Sequence, residues 1–147
     1  MNAHDAIVGA IVAALLAGPA LASGRVSEEA DFDQLPESVN QAVSVAMLGS
    51  DPRMVLLGAT APIEWRTTVR VLCFARSDTA GVSGRASREL HAAVYARLMA
   101  DQTLGGLAMA IDVPTLRADT SLIGTRMGVL SADYVIHHRT ASTTLDA

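Results

Sequence analysis

The chain contains no lysine, a single cysteine, and only five aromatic residues, Phe32, Trp65, Phe74, Tyr95 and Tyr134. One cysteine excludes an intramolecular disulfide and any zinc site built from several thiolates. The shortage of aromatics removes the usual large core anchors, so strand pairing and partner subunits are expected to share in stability. A net charge of -4 with all eleven cations arginine lacks the basic footprint of a general nucleic-acid binder. Charged residues make up only 18% and hydrophobic residues 50% of the chain, which excludes a disordered tail. At 147 residues the expected organisation is a single domain, 1–147. Much of the hydrophobic content is alanine, 26 residues in all.

The first segment is expected to be a helix over 4–17. Ile7, Ile11, Ala14 and Leu15 recur at helical spacing with Val8, Val12 and Leu16 beside them, and Gly18-Pro19 stops the pattern. Asp5 caps this helix or favours the positive end of its dipole. The breadth of the apolar stripe predicts a helix buried on two sides. The competing reading is a secretory signal cleaved after Ala22. It has the small-residue site Ala20-Leu21-Ala22, but the n-region lacks a positive charge and carries Asp5. The run is too short to span a membrane, which takes about 20 apolar residues.

An acidic loop is expected over 26–37, because Glu28, Glu29, Asp31, Asp33 and Glu37 occur there without a cation and Pro36 favours irregular backbone. The sheet and helix core follows over 39–139. Val39 to Met47 alternates at strand period, Ser50-Asp51-Pro52-Arg53 has turn chemistry, and Met54 to Leu57 reads as a short strand. Ile63 to Phe74 is the clearest strand, with one face solvated at its start and expected to be covered at its finish, where Leu72 and Phe74 make it apolar. A second helix begins at Ser83 or Ser87 and runs to Ala100, with the stripe Ala86, Leu90, Val94 and Leu98 and Ala93 alongside. Gly105-Gly106 ends it, a strand is expected from Leu107 to about Thr115, and the last strand covers Met127 to Arg139 before a polar tail over 140–147. The order predicts an α+β fold, a mainly antiparallel sheet of four to five strands covered by two helices.

No catalytic motif stands out, and no enzymatic activity is expected. His137 and His138 are adjacent on a strand and point to opposite faces, so they do not chelate one metal together. Cys73 lies in an apolar strand and is expected to be a buried structural thiol. Neither Ser83-Gly84 nor Gly105-Gly106 continues into a phosphate loop. Charge distribution is more telling. Residues 1–37 hold six acids and one arginine, net -5, whereas residues 53–97 hold seven arginines and three acids, net +4. Separated stretches of opposite sign suit head-to-tail association, and heterologous contacts close into rings when the rotation permits.

Trp65-Arg66-Thr67-Thr68-Val69-Arg70-Val71 opens a strand that leads to a long helix. That helix closes in Asp101-Gln102-Thr103-Leu104-Gly105-Gly106-Leu107, and the last strand closes in Tyr134 to Thr140. These phrases resemble the tail terminator (tail completion) proteins of long-tailed phages, in which the helix closes with D-x-T-L-G-G-L and the last strand with Y-x-x-x-x-R-T. The N-terminal helix rich in Ala, Ile and Val is similar to the family's opening. The resemblance implies a ring, a hexamer in the family, on the head-proximal end of the tail tube, with the virion as location and the host cytoplasm during assembly. It would end tube polymerisation at the length set by the tape-measure protein and enable head-tail joining. Implied partners are other copies of the chain, the major tail tube protein, the head-tail connector and the tape-measure protein, with DNA passing through the lumen, no membrane and no cofactor. The resemblance carries over no catalytic or metal residues. Candidate subunit or tube contacts are the basic Arg66, Arg70, Arg76 and Arg85 and the acidic Glu28, Glu29, Asp31 and Asp33. An exported binding module cleaved after Ala22, or a small cytosolic enzyme using Cys73 or a histidine, stands as the alternative.

Overall fold

The N-terminal helix α1 spans Ala3–Leu16 and is capped by Asn2, whose Oδ1 accepts the Asp5 amide at 2.9 Å. Asp5 lies within the first turn, where its charge favours the dipole rather than making the cap. Ile7, Val8, Ile11 and Leu15 are buried, whereas Ala13 and Leu16 are exposed. The helix is thus buried on one broad face and not on two; the alanines of its outer face meet solvent. In the computed structural model residues 2–54, 61–141 and 144–146 are described.

The fold is α+β. A six-stranded sheet comprises β1 (Val26–Glu28), β2 (Gln41–Met54), β3 (Ile63–Arg76), β4 (Ala110–Ile111), β5 (Thr115–Ala118) and β6 (Met127–Thr140). Its order is β1-β2-β3-β6-β4, with β5 beside β4 along the same edge of β6. All pairings are antiparallel except β1 with β2, so the sheet is mixed. Helix α2 (Ser83–Ala100) packs over β3 and β6, and α1 packs beside it over β1 and β2. The core between them contains Ile7, Ile11, Leu15, Val43, Val45, Val69, Val71, Val94, Leu98, Tyr134 and Ile136. Arg97 of α2 joins the two helices, donating from Nη1 to the carbonyls of Ala14 (3.1 Å) and Ala17 and from Nη2 to that of Pro19 (2.9 Å). It thereby neutralises the negative end of α1, which has no basic residue of its own in its last turn.

Four boundaries differ from the sequence expectation. The acidic stretch is not a pure loop: Val26 is buried and pairs parallel with Val43, and a 3-10 turn at Phe32–Gln34 follows. The turn expected at Ser50 to Arg53 is strand, because a bulge between Met47 and Gly49 lets β2 continue along β3 to Met54. The extra residue switches parity, so that Val43 and Val45 face the helices before it and Ser50 and Pro52 after it. Pro52 is tolerated there because β2 has no second partner strand beyond Val45 among the described residues. Of the short strand expected at Met54 to Leu57, Met54 ends β2 and residues 55–57 lie outside the described residues. The strand expected over Leu107 to Thr115 is divided into β4 and β5 with Pro114 between them, since proline cannot donate to the ladder. In α2 the buried stripe is Ser83, Ser87, Leu90, His91, Val94 and Leu98, with Ala93 exposed.

The coil after α2 shows why Gly105-Gly106 is there. The Asp101 carboxylate accepts the Thr103 and Gly105 amides at 3.0 and 2.9 Å, and the chain turns through positive φ at Leu104, Gly105 and Gly106. The Thr103 hydroxyl, which donates to the same carboxylate at 2.6 Å, and then these amides hold the Asp101 carboxyl below its ordinary range. Glycine adopts such angles without strain.

Candidate interaction surface

Two faces of the sheet have different fates. The helices cover one, and a single corner of the other is covered by residues 29–39. There Phe32 packs on Phe74 with ring centroids 5.3 Å apart, and Ser44 Oγ accepts the Ala30 amide at 2.9 Å. Arg76 fastens this flap by donating to the carbonyls of Pro36 (3.1 Å) and Val39 (3.3 Å), with its guanidinium 5.4 Å from the Phe74 ring. The expectation that the strand's second face is covered at its finish is met by Phe32.

Charges from neighbouring strands face one another over the rest of that face. Arg53, Glu64 and Arg139 form one cross-strand row, and Asp51, Arg66 and His137 the next. Within the rows Arg139 lies 3.6 Å from Glu64, and His137 Nε2 lies 2.9 Å from the Asp112 carboxylate. Two rows on, Arg70 makes a two-pronged bond to Asp133 at 2.8 and 3.0 Å. That bond holds the Asp133 carboxyl below its ordinary range and raises Arg70. Arg70 is therefore engaged within its own chain, while Arg66 is exposed and has no ion pair among the described residues.

The remaining candidates are dispersed. Arg85 is exposed in the first turn of α2, beside a hollow bordered by Arg88, Ile123 and Met127. Glu28 and Glu29 are exposed at the end of β1, and Asp31 accepts the Asp33 amide at 2.9 Å to cap the 3-10 turn. Glu28 and Glu29 thus lie at the end of β1 and Asp31 and Asp33 in the covering flap, whereas Arg66 and Arg70 lie on β3 in the sheet's interior. No ion pair joins the two groups among the described residues.

No protein-family model matches the sequence, and no curated protein matches it either. Among solved structures, 33 chains match the fold. One belongs to the virion of a native gene transfer agent particle, at TM-score 0.50 and 12% identity over 91% of this chain and 95% of that one. The two are similar in fold. At that identity the likeness concerns architecture, and it spans nearly the whole of both chains.

A connected set of buried polar groups lies on the helix side. His4 of α1 approaches Ser50 Oγ at 3.1 Å, Ser50 bonds Thr67 at 2.7 Å, and Thr67 bonds His138 Nε2 at 2.7 Å. The His4 ring meets those of Trp65 and His138 edge-on, each at 5.1 Å. Burial and the neighbouring His4 push His138 down to about 4, so it is neutral at pH 7. Deeper in the core His91 bonds the Tyr134 hydroxyl at 2.9 Å, and burial lowers His91 and raises Tyr134. This chain of side chains ties α1 to β2, β3 and β6. Among the described residues no group of three or more His, Cys, Asp or Glu is placed to hold a metal ion.

Cys73 is fully buried beneath the helices, and burial pushes its thiol up to about 12. The thiolate is the reactive form. Native protein at pH 8 is therefore expected to react with a thiol-specific reagent far more slowly than urea-unfolded protein. Equal rates in the two states would show that Cys73 is accessible.

Proposed function

We propose that this chain is a structural protein of a virion that caps the head-proximal end of a tail tube, as tail terminators do. In this reading it forms a ring, a hexamer as in the family it resembles, ends tube polymerisation and presents a new surface to the head-tail connector. The carrying observation is the fold shared with a chain of a gene transfer agent virion along nearly the full length of both. The phrases at Asp101 to Leu107 and Tyr134 to Thr140 add to it. The first forms the tight turn that ends α2, and the second ends the sheet's interior strand.

The architecture suits such a role. A tube grown from identical rings offers the same surface after every addition, so an end requires a subunit with one matching side and one different side. One face of this sheet is covered by helices and the other carries rows of charge. Several copies acting together convert weak contacts into avidity. Neither a cofactor nor catalytic chemistry is part of the proposal.

Deleting the gene from its element is expected to give filled heads without tails and unjoined tubes, many longer than normal, in electron micrographs of the lysate. Supplying the protein in trans should restore joining. Normal-length tails attached to heads in the deletion lysate would overturn the assignment.

A further inference from the structure

The polar chain from His4 to His138 holds exactly one arrangement of hydrogens per direction. His4 is 8% exposed, and Thr67 and His138 have no solvent exposure. Three links join His4 to Ser50, Ser50 to Thr67 and Thr67 to His138. Each link needs one hydrogen, and the two hydroxyls supply two of them. The third is an N–H at Nε2 of one imidazole, while the other imidazole accepts. The chain is therefore complete with both rings neutral. Where His138 Nε2 accepts, a proton added there gives four hydrogens for three links, and one link breaks. Where His138 Nε2 donates, the added proton must go to Nδ1, which is buried without a hydrogen-bond partner among the described residues. No counter-charge is at hand either. The neighbouring ring is that of His4. On β2, β3 and β6 the charged side chains near this end, Asp51, Arg53, Glu64, Arg66, His137 and Arg139, belong to the open face of the sheet. Asp112, after β4, is bonded to His137 there. Asp5 of α1, Asp101 at the end of α2 and Asp146 of the tail are exposed, and neither ring bonds a carboxylate among the described residues.

We infer that this chain of side chains is an acid-sensitive latch, in which proton uptake at the His4–His138 pair frees the first turn of α1 while the rest of the fold stands. The inference goes beyond tube capping and does not depend on it. Ile7, Ile11 and Leu15 hold the remainder of α1 to the core, and nothing in those contacts titrates. The first turn is tied to the sheet through His4, and its Ala3 amide donates to the Leu145 carbonyl at 2.7 Å, so the tail leaves with it. Release uncovers Trp65, half-buried against the His4 ring. The direction of the pH effect follows from linkage. Burial and then His4 lower His138 from the ordinary 6.5 to about 4, whereas the opened ring regains the ordinary value. The latch is thus fully closed above pH 6.5 and weakens as pH falls toward 4. The ratio of closed to open falls by up to about 300-fold, tenfold for each pH unit between the two values.

The test uses the full chain and its only tryptophan, Trp65. Trp65 emission and far-ultraviolet circular dichroism are followed together from about pH 7.5 to 4, across the window between the two values. The latch gives an emission change inside that window and a circular dichroism spectrum that keeps both helices. His138→Gln puts a group that does not titrate at the buried end, and the emission change should vanish. His4→Ala cuts the tie at its helix end; it should show the acid emission already at neutral pH and no further change on acidification. That variant decides the matter if His138→Gln does not fold. His91→Gln, in the separate core pair with Tyr134, should leave the emission change in place. Constant wild-type emission over the whole range overturns the latch, and so does a transition that persists in His138→Gln or His4→Ala. Loss of the helical spectrum together with the emission change means acid unfolding of the whole domain, and the latch is then wrong.

Discussion

A chain that begins at Ser23 is expected to be unfolded. Removing residues 1–22 takes away Ile7, Ile11 and Leu15, all with no solvent exposure, and uncovers Val43 and Val45 beneath them. Burying one such side chain contributes roughly 1.5–3 kcal/mol. Three of them approach the whole margin of a domain, about 5–15 kcal/mol. The truncation also removes His4 from the Ser50–Thr67–His138 chain of hydrogen bonds and the carbonyls that Arg97 binds. Circular dichroism and a thermal melt decide the matter. A cooperative transition near the wild-type midpoint would mean that α1 is an accessory and not part of the core.

Gly128→Val is expected to destabilise the fold for a different reason. A Cβ at this position would lie 2.6 Å from the Ser83 carbonyl oxygen and 2.7 Å from its carbon, both backbone atoms. The start of α2 cannot easily retreat, because Ser83 Oγ and the Gly81 amide both donate to the Thr125 carbonyl at 3.0 Å. Overpacking of a well-filled site costs about 1–3 kcal/mol, and valine exceeds the single methyl that already collides. The midpoint should fall by roughly 3–10 °C on that scale. Gly9→Ala is the control: it lies within α1 with nothing within 4 Å of the added methyl, so it should be neutral or slightly stabilising. A Gly128→Val midpoint equal to wild type would show that α2 begins differently.

Periodicity exposed the elements whose residues alternate against one continuous partner. The strands at Ile63 to Arg76 and Met127 to Thr140 and both helices were legible for that reason. Beyond Met47 the signal in β2 failed, because the bulge moved the inward side chains from odd to even positions and Ser-Asp-Pro has turn composition. The parallel strand at Val26 was hidden by its brevity and by the acids around it. At the candidate surface, sequence pointed to Arg66 and Arg70 but not to Asp133, which takes Arg70 from 63 residues away. That partnership depends on the β3–β6 register, which neither strand specifies alone. The His4 and His138 cluster was equally invisible, since its members lie at opposite ends of the chain and meet only when α1 folds over the sheet.

Strand order also determines when this protein can fold during synthesis. The last strand made, β6, lies inside the sheet, between β3 on one side and β4 and β5 on the other. Until it leaves the ribosome, β3 has an empty inner edge and Tyr134 and Ile136 are missing from the core. At about 5–20 residues per second the chain spends several seconds in that state. Antiparallel pairing of Arg76 with Met127 and of Ile63 with Thr140 must then close loops that hold α2 and both short strands. Long loops make such closure slow. The nascent protein is therefore most exposed to mispairing with its neighbours just before β6 emerges, and a stalled or truncated chain that lacks β6 would offer a strand edge to every folded copy nearby.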